Sequence, residues 1–153
     1  LPTMPSLLDP ATHAALRGRL ARLAPATPPR WGTLDAPRML AHLHNAFVLA
    51  FAATPPSTRP GWLANRFGRW FVIDCPLPWP KGKLKAPPEF FHVTPGGAER
   101  FADLHALVLA DLDASRDASR LTGISPFLGP LTPQQWARLG ARHLDHHLRQ
   151  FGL

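Results

Sequence analysis

The run Trp136-Ala-Arg-Leu-Gly-Ala-Arg-His143-Leu-Asp-His146-His147-Leu-Arg-Gln150-Phe151 can hide its apolar residues together only as an amphipathic helix. At about 100° per residue, one arc carries Trp136, Leu139, Leu144, Leu148 and Phe151. The opposite arc carries Gln134, Gln135, Arg138, Arg142, Asp145 and Arg149. A stripe that wide must be packed against other elements, so this segment forces a layered fold around it. Thr132 at the N-cap, Pro133 at the first helical position and Gln135 at the third mark where it starts. Gly152, just beyond Phe151, marks where it stops. Within the helix His143 and His147 fall inside the apolar arc, whereas His146 falls beside Arg142 and Gln135 at the solvent edge. Residues four apart sit about 6 Å from one another on one face. Two inward imidazoles in that relation can grip one divalent metal ion; the plainer alternative is two core histidines hydrogen-bonded to their surroundings.

The rest of the chain reads as further helices separated by proline. Asp9-Pro10 opens a helix to about Leu23, and Asp35-Ala36-Pro37 opens a second that runs to about Ala53. Gly61 to Asp74, rich in Trp and Phe, predicts a short third helix. Thr94-Pro95 caps a fourth from about Gly96 to Ser115. The segment from Cys75 to Pro88 carries too many prolines for regular structure and predicts a long loop. No convincing strand pattern occurs, although Phe90 to Val93 could pair briefly. Four substantial helices plus a short one, joined by two long loops, predict an all-α four-helix bundle with a crossover, one domain over residues 1–153.

Composition removes several classes of function. No stretch approaches the roughly 20 unbroken apolar residues of a membrane span. The N-terminal Leu1-Pro-Thr-Met-Pro-Ser-Leu-Leu lacks the basic region and long apolar run of a secretory signal. The lone Cys75 rules out an internal disulfide framework, and with that N-terminus it points to the cytoplasm. Cys75 itself reads as a small buried apolar residue. The formal charge of +7 would suit nucleic acid, but no run of five or six basic residues occurs, so the charge reads as solvated surface and no nucleic-acid partner is expected. The aromatic third segment offers an apolar patch on which a homodimer could form.

Three stretches together resemble the DinB-like superfamily: Trp31-Gly32 with Met39-Leu40-Ala41-His42-Leu43, Pro78-Trp79-Pro80-Lys81-Gly82, and Phe127 through Phe151 with its His-x-x-x-His. The resemblance covers about Leu8 to Leu153 and is closest to a bacterial branch with no agreed reaction. It implies a four-helix bundle in which three histidines hold a divalent metal, one from the second helix and two from the last. Carried onto this chain these are His42, His143 and His147. It also implies a metal-dependent hydrolase, or a transferase using a low-molecular-weight thiol, acting on a small molecule. Periodicity alone does not separate His42 from His44, because the second helix is apolar around most of its circumference; the resemblance selects His42.

Three imidazoles would accept Zn²⁺, Ni²⁺, Fe²⁺ or Co²⁺ and leave a coordination position open. No Asp or Glu adjoins an inward histidine to act as a general base, and Asp145 follows the polar arc. Gln150 lies near the His143 side of its helix, where it could orient a ligand. His105 sits on an inward arc and reads as a core histidine satisfied by a carbonyl or water, with a fourth ligand, or a donor that supports a ligand from behind, as its alternative. His13 and His92 read as surface or loop residues. The Pro78–Lys85 loop is either a lid bringing Lys81, Lys83 and Lys85 toward an anionic substrate or a strap over the core. The competing function is a non-catalytic metal-binding or stress-related bundle without turnover.

Overall fold

A computed structural model describes residues 3–52, 61, 64–83 and 100–153. Among these the chain is mainly helical, with five α-helices and one very small hairpin. The helices are α1 (Pro10–Ala21), α2 (Ala36–Phe51), α3 (Arg66–Ile73), α4 (Phe101–Ala114) and α5 (Pro133–Gln150). Between α4 and α5 lie a 3-10 turn, Ala118–Arg120, and two short antiparallel strands, β1 (Ile124–Ser125) and β2 (Gly129–Pro130). The hairpin corrects the expectation of no convincing strand. With two residues on each side it is too short to carry an alternating pattern. The stretch from Phe90 to Val93, the Thr94-Pro95 cap, His92 and Lys85 lie outside the described residues.

The helix starts follow their capping chemistry. The Asp9 carboxylate accepts from the Thr12 amide at 2.8 Å, and Asp35 accepts from that of Arg38 at 2.9 Å. Thr132 and Gln135 form a reciprocal capping box at the head of α5. The third helix is shorter than expected at its N-terminal side. Asn65 takes the cap position there, accepting from the Gly68 amide at 2.7 Å. At the far end of α5, Gly152 adopts φ 77°, the left-handed conformation that ends a helix.

The helices pack as a bundle. α2 lies along α4, and α5 lies against α1, α2 and α3. Leu20, Met39, Leu43, Leu112, Leu144 and Leu148 are fully buried along these seams. The hairpin tucks under the C-terminal end of α2, where the Gly123 amide donates to the Ala50 carbonyl at 2.9 Å. A Cβ on Gly123 would overlap the carbonyl oxygen of Leu49, so the close approach requires glycine. The Trp136 indole N–H donates to the Gly123 carbonyl at 2.8 Å and fastens the same turn to α5. Cys75 is buried, as expected of a small apolar residue. No helix among the described residues is long and apolar enough to cross a membrane.

Candidate metal centre

α2 and α5 face each other with histidines at the point of contact. His42 comes from the second turn of α2, and His143 and His147 come from one face of α5. The three rings form a nearly regular triangle: each pair of ring centroids is 4.8 Å apart, and the ring planes cross at 75–80°. The candidate donor nitrogens all lie within 4.8 Å of one another. The Nε2 atoms of His42 and His143 approach to 2.8 Å. Bonds of about 2.0–2.1 Å to one tetrahedral ion would set such nitrogens about 3.3 Å apart, so a small spreading of this pair admits an ion. Without an ion, the same approach is a hydrogen bond in which one ring donates to the other.

His147 is oriented from behind. The Gln150 side-chain amide donates to the Trp31 carbonyl at 2.9 Å, which turns its Oε1 toward Nδ1 of His147, also at 2.9 Å. Nδ1 therefore carries the proton, and the lone pair sits on Nε2, facing the cluster. The backbone makes room for this relay. Gly32 has φ 77°, and a Cβ there would stand 2.8 Å from Gln150 Nε2. Gln150 thus serves His147, one turn away from the His143 side that the helical phase suggested.

The electrostatics favour neutral rings. Burial, helped by the nearby His146, pushes the His42 imidazole down from 6.5 to about 4. Burial and the neighbouring His42 push His147 down to about 3, against the opposing effect of the hydrogen bond that His147 donates to Gln150. His143 is driven well below its ordinary value, first by burial and then by the other histidines. At neutral pH all three offer lone pairs, the state a metal needs.

The cluster opens onto a cavity of about 250 Å³. His42, His143 and His147 stand in its wall with Leu43, Phe47, Val72 and Leu139, and among the described residues no Asp, Glu, Lys or Arg lines it. Trp79 forms part of the rim, 6.0 Å from the His143 ring and 5.6 Å from that of His146. Its indole N–H donates to the Val72 carbonyl at 3.1 Å, and Arg142 lies 5.5 Å over its ring. Arg142 in turn donates to the carbonyls of Cys75 and Leu77, tying this loop to α5. Lys81 stands 4.8 Å over Trp31, whose ring meets the edge of His146 at 5.9 Å.

The remaining histidines separate clearly. His44 leaves the cluster and pairs through Nδ1 with Asp111 of α4 at 2.6 Å. His105 is a half-buried histidine satisfied by the Leu20 carbonyl at 2.7 Å, the plainer of its two readings. His146, expected at the solvent edge, is half-buried at the cavity rim, because Trp31 and Trp79 close over that side of α5. His13 is a correction. Expected at the surface, it is buried, with Nε2 3.2 Å from the Leu112 carbonyl and 3.3 Å from Asp113. Its signal was present: with Leu16 and Leu20 it falls on the buried stripe of α1. Asp145 pairs with Arg19 and Arg149, consistent with its polar phase. The packing of Trp31 against His146 had no periodic signal in the sequence, since it depends on the fold of the proline-rich connector before α2.

Comparison with known proteins gives no match: no protein-family model fits the chain, and no curated protein or solved structure is similar to it.

Proposed function

We propose that His42, His143 and His147 hold one divalent metal ion in a bundle of the DinB-like type, and that the protein is a metal-dependent enzyme of hydrolase or thiol-dependent transferase class acting on a small molecule. The observation that carries this is the meeting of three inward, neutral imidazoles at the wall of a 250 Å³ cavity. A purely structural cluster has no use for space beside it. A bound ion supplies Lewis acidity toward whatever group enters the cavity. The chain's own part is to orient and to shield. Gln150 fixes the tautomer of His147, while Trp79 and His146 stand at the rim and limit access of water. Zn²⁺, Ni²⁺ and Fe²⁺ all suit an all-imidazole set.

Non-catalytic metal binding is the second reading, favoured by the lack of any carboxylate among the described cavity residues that could serve as a general base. A thiol co-substrate would ease that lack, since a thiolate is already a nucleophile.

Elemental analysis of untagged protein tests the centre itself. One ion per chain is expected, falling to none in His143→Ala; full metal content in that variant would remove the three-histidine site. A screen of the metal-loaded protein against thioesters, amides, epoxides and thiol-conjugation substrates then separates the two readings. Turnover that disappears in His143→Ala supports the enzyme, and stoichiometric metal with no turnover supports the binding protein.

A further inference from the structure

The cavity and the cluster are mismatched in charge in a way that specifies a ligand. Three neutral imidazoles leave the full charge of a divalent ion in place, and no Asp or Glu among the described lining residues offsets it. Gln150, which supports His147 from behind, is neutral as well. The charged side chains stacked on the nearby tryptophans are cationic, Arg142 over Trp79 and Lys81 over Trp31. The carboxylates close to Arg142, Asp74 and Asp145, are each paired with other arginines and stand outside the lining. An uncompensated charge beside apolar walls is costly, so the occupant of the cavity must bring the anion. The walls themselves ask for something apolar. Beyond His42, successive turns of α2 present Ala46 and Ala50 to the space, with Phe47, Leu49 and Leu121 around them. Residues four apart share one helical face, so a shallow trough leads from the imidazoles along α2. Its 250 Å³ would hold about eight waters at roughly 30 Å³ each, which bind poorly to such walls.

We propose that this cavity takes a small amphiphile, with a monoanionic donor head group directed at the three histidines and an apolar tail lying along the Ala46–Ala50 face of α2. The assignment rests on the metal reading above, and its test is arranged so that the two can fail separately.

Untagged full-length protein is loaded with Co²⁺, whose visible absorption reports the ligands of the ion. It is then titrated with acetate, butanoate, hexanoate and octanoate, and with octan-1-ol as the neutral counterpart. The alkanoates should change the cobalt spectrum, and their affinity should rise about four-fold for each methylene until the trough is filled. Octan-1-ol should leave the spectrum unchanged and bind more weakly than octanoate. Ala46→Phe should keep the cobalt spectrum and its response to acetate but lose the gain with chain length; Ala46→Leu, a smaller intrusion, should lose part of it. Equal affinity for acetate and octanoate, octan-1-ol binding as tightly as octanoate, or an undiminished chain-length gain in both variants would overturn the amphiphile while leaving the metal centre standing. Failure to take up one Co²⁺ per chain, visible before any alkanoate is added, would remove both.

Discussion

At the scale of single residues, the side chain that does most beyond the three histidines is Gln150. It is buried, it accepts from His147 and it donates to the Trp31 carbonyl, so one amide sets both the tautomer of His147 and the position of the Trp31 backbone. Gln150→Leu removes both bonds while keeping bulk. It should weaken metal binding about 10- to 100-fold, as loss of an orienting partner commonly does. Gln150→Glu retains an acceptor for Nδ1 and should recover most of that loss; competition with a chromophoric chelator measures both. Much of the candidate site was legible from residues. The positions of His143 and His147 followed from helical phase alone, because α5 has one clean apolar arc. His42 did not, because α2 is buried on several sides and both His42 and His44 find partners, one in the cluster and the other in Asp111. His13 was misjudged for lack of an evident partner: its acceptors, the Leu112 carbonyl and Asp113, lie about a hundred positions along the chain.

At the scale of elements, caps were the most informative signals. Asp9, Asp35 and Thr132 each begin a helix where the sequence predicted, since capping is local chemistry between neighbours. The short hairpin and the closure of Trp31 and Trp79 over α5 were not legible, since both are settled by contacts between distant segments. The hairpin nonetheless matters for the cavity: Leu121 and Ser125, on either side of Gly123, contribute to its lining. Gly123→Ala forces a methyl group against the α2 backbone, where no side-chain rotation can relieve it. Such overpacking should cost about 2–3 kcal/mol. By contrast, Gly18→Ala in the middle of α1 meets nothing within 4 Å and should stabilise by about 0.5–1 kcal/mol. Urea unfolding of the two variants beside the parent protein should show midpoints moving in opposite directions.

At the scale of the whole molecule, the buried histidines tie folding to pH. In the folded chain His42 titrates at about 4 and His147 at about 3, against 6.5 for an ordinary imidazole. Between these values the unfolded chain binds protons that the folded chain refuses. Metal-free protein should therefore hold its full stability above about pH 6.5 and lose it progressively as pH falls toward 3. The loss should be on the order of 3 kcal/mol for His42 alone. Unfolding midpoints of the chelator-treated protein at pH 7.5, 6 and 5 check the sign: a flat or rising trend on acidification would mean that the rings are not held neutral. Zn²⁺ at a hundred times its dissociation constant should add about 2.7 kcal/mol at pH 7.5.

The three imidazoles are unequal in how they come together. His143 and His147 are brought side by side by the coiling of α5 alone, whereas His42 stands 101 positions from His143 and reaches it only when α2 docks. A detached α5 would be a two-toothed claw with a loose grip; the intact bundle supplies the third tooth at high local concentration. For an ion held as proposed, escape would require the parting of two helices rather than the flicker of one ring, and the seam between α2 and α5 would be the latch that sets how long the ion stays.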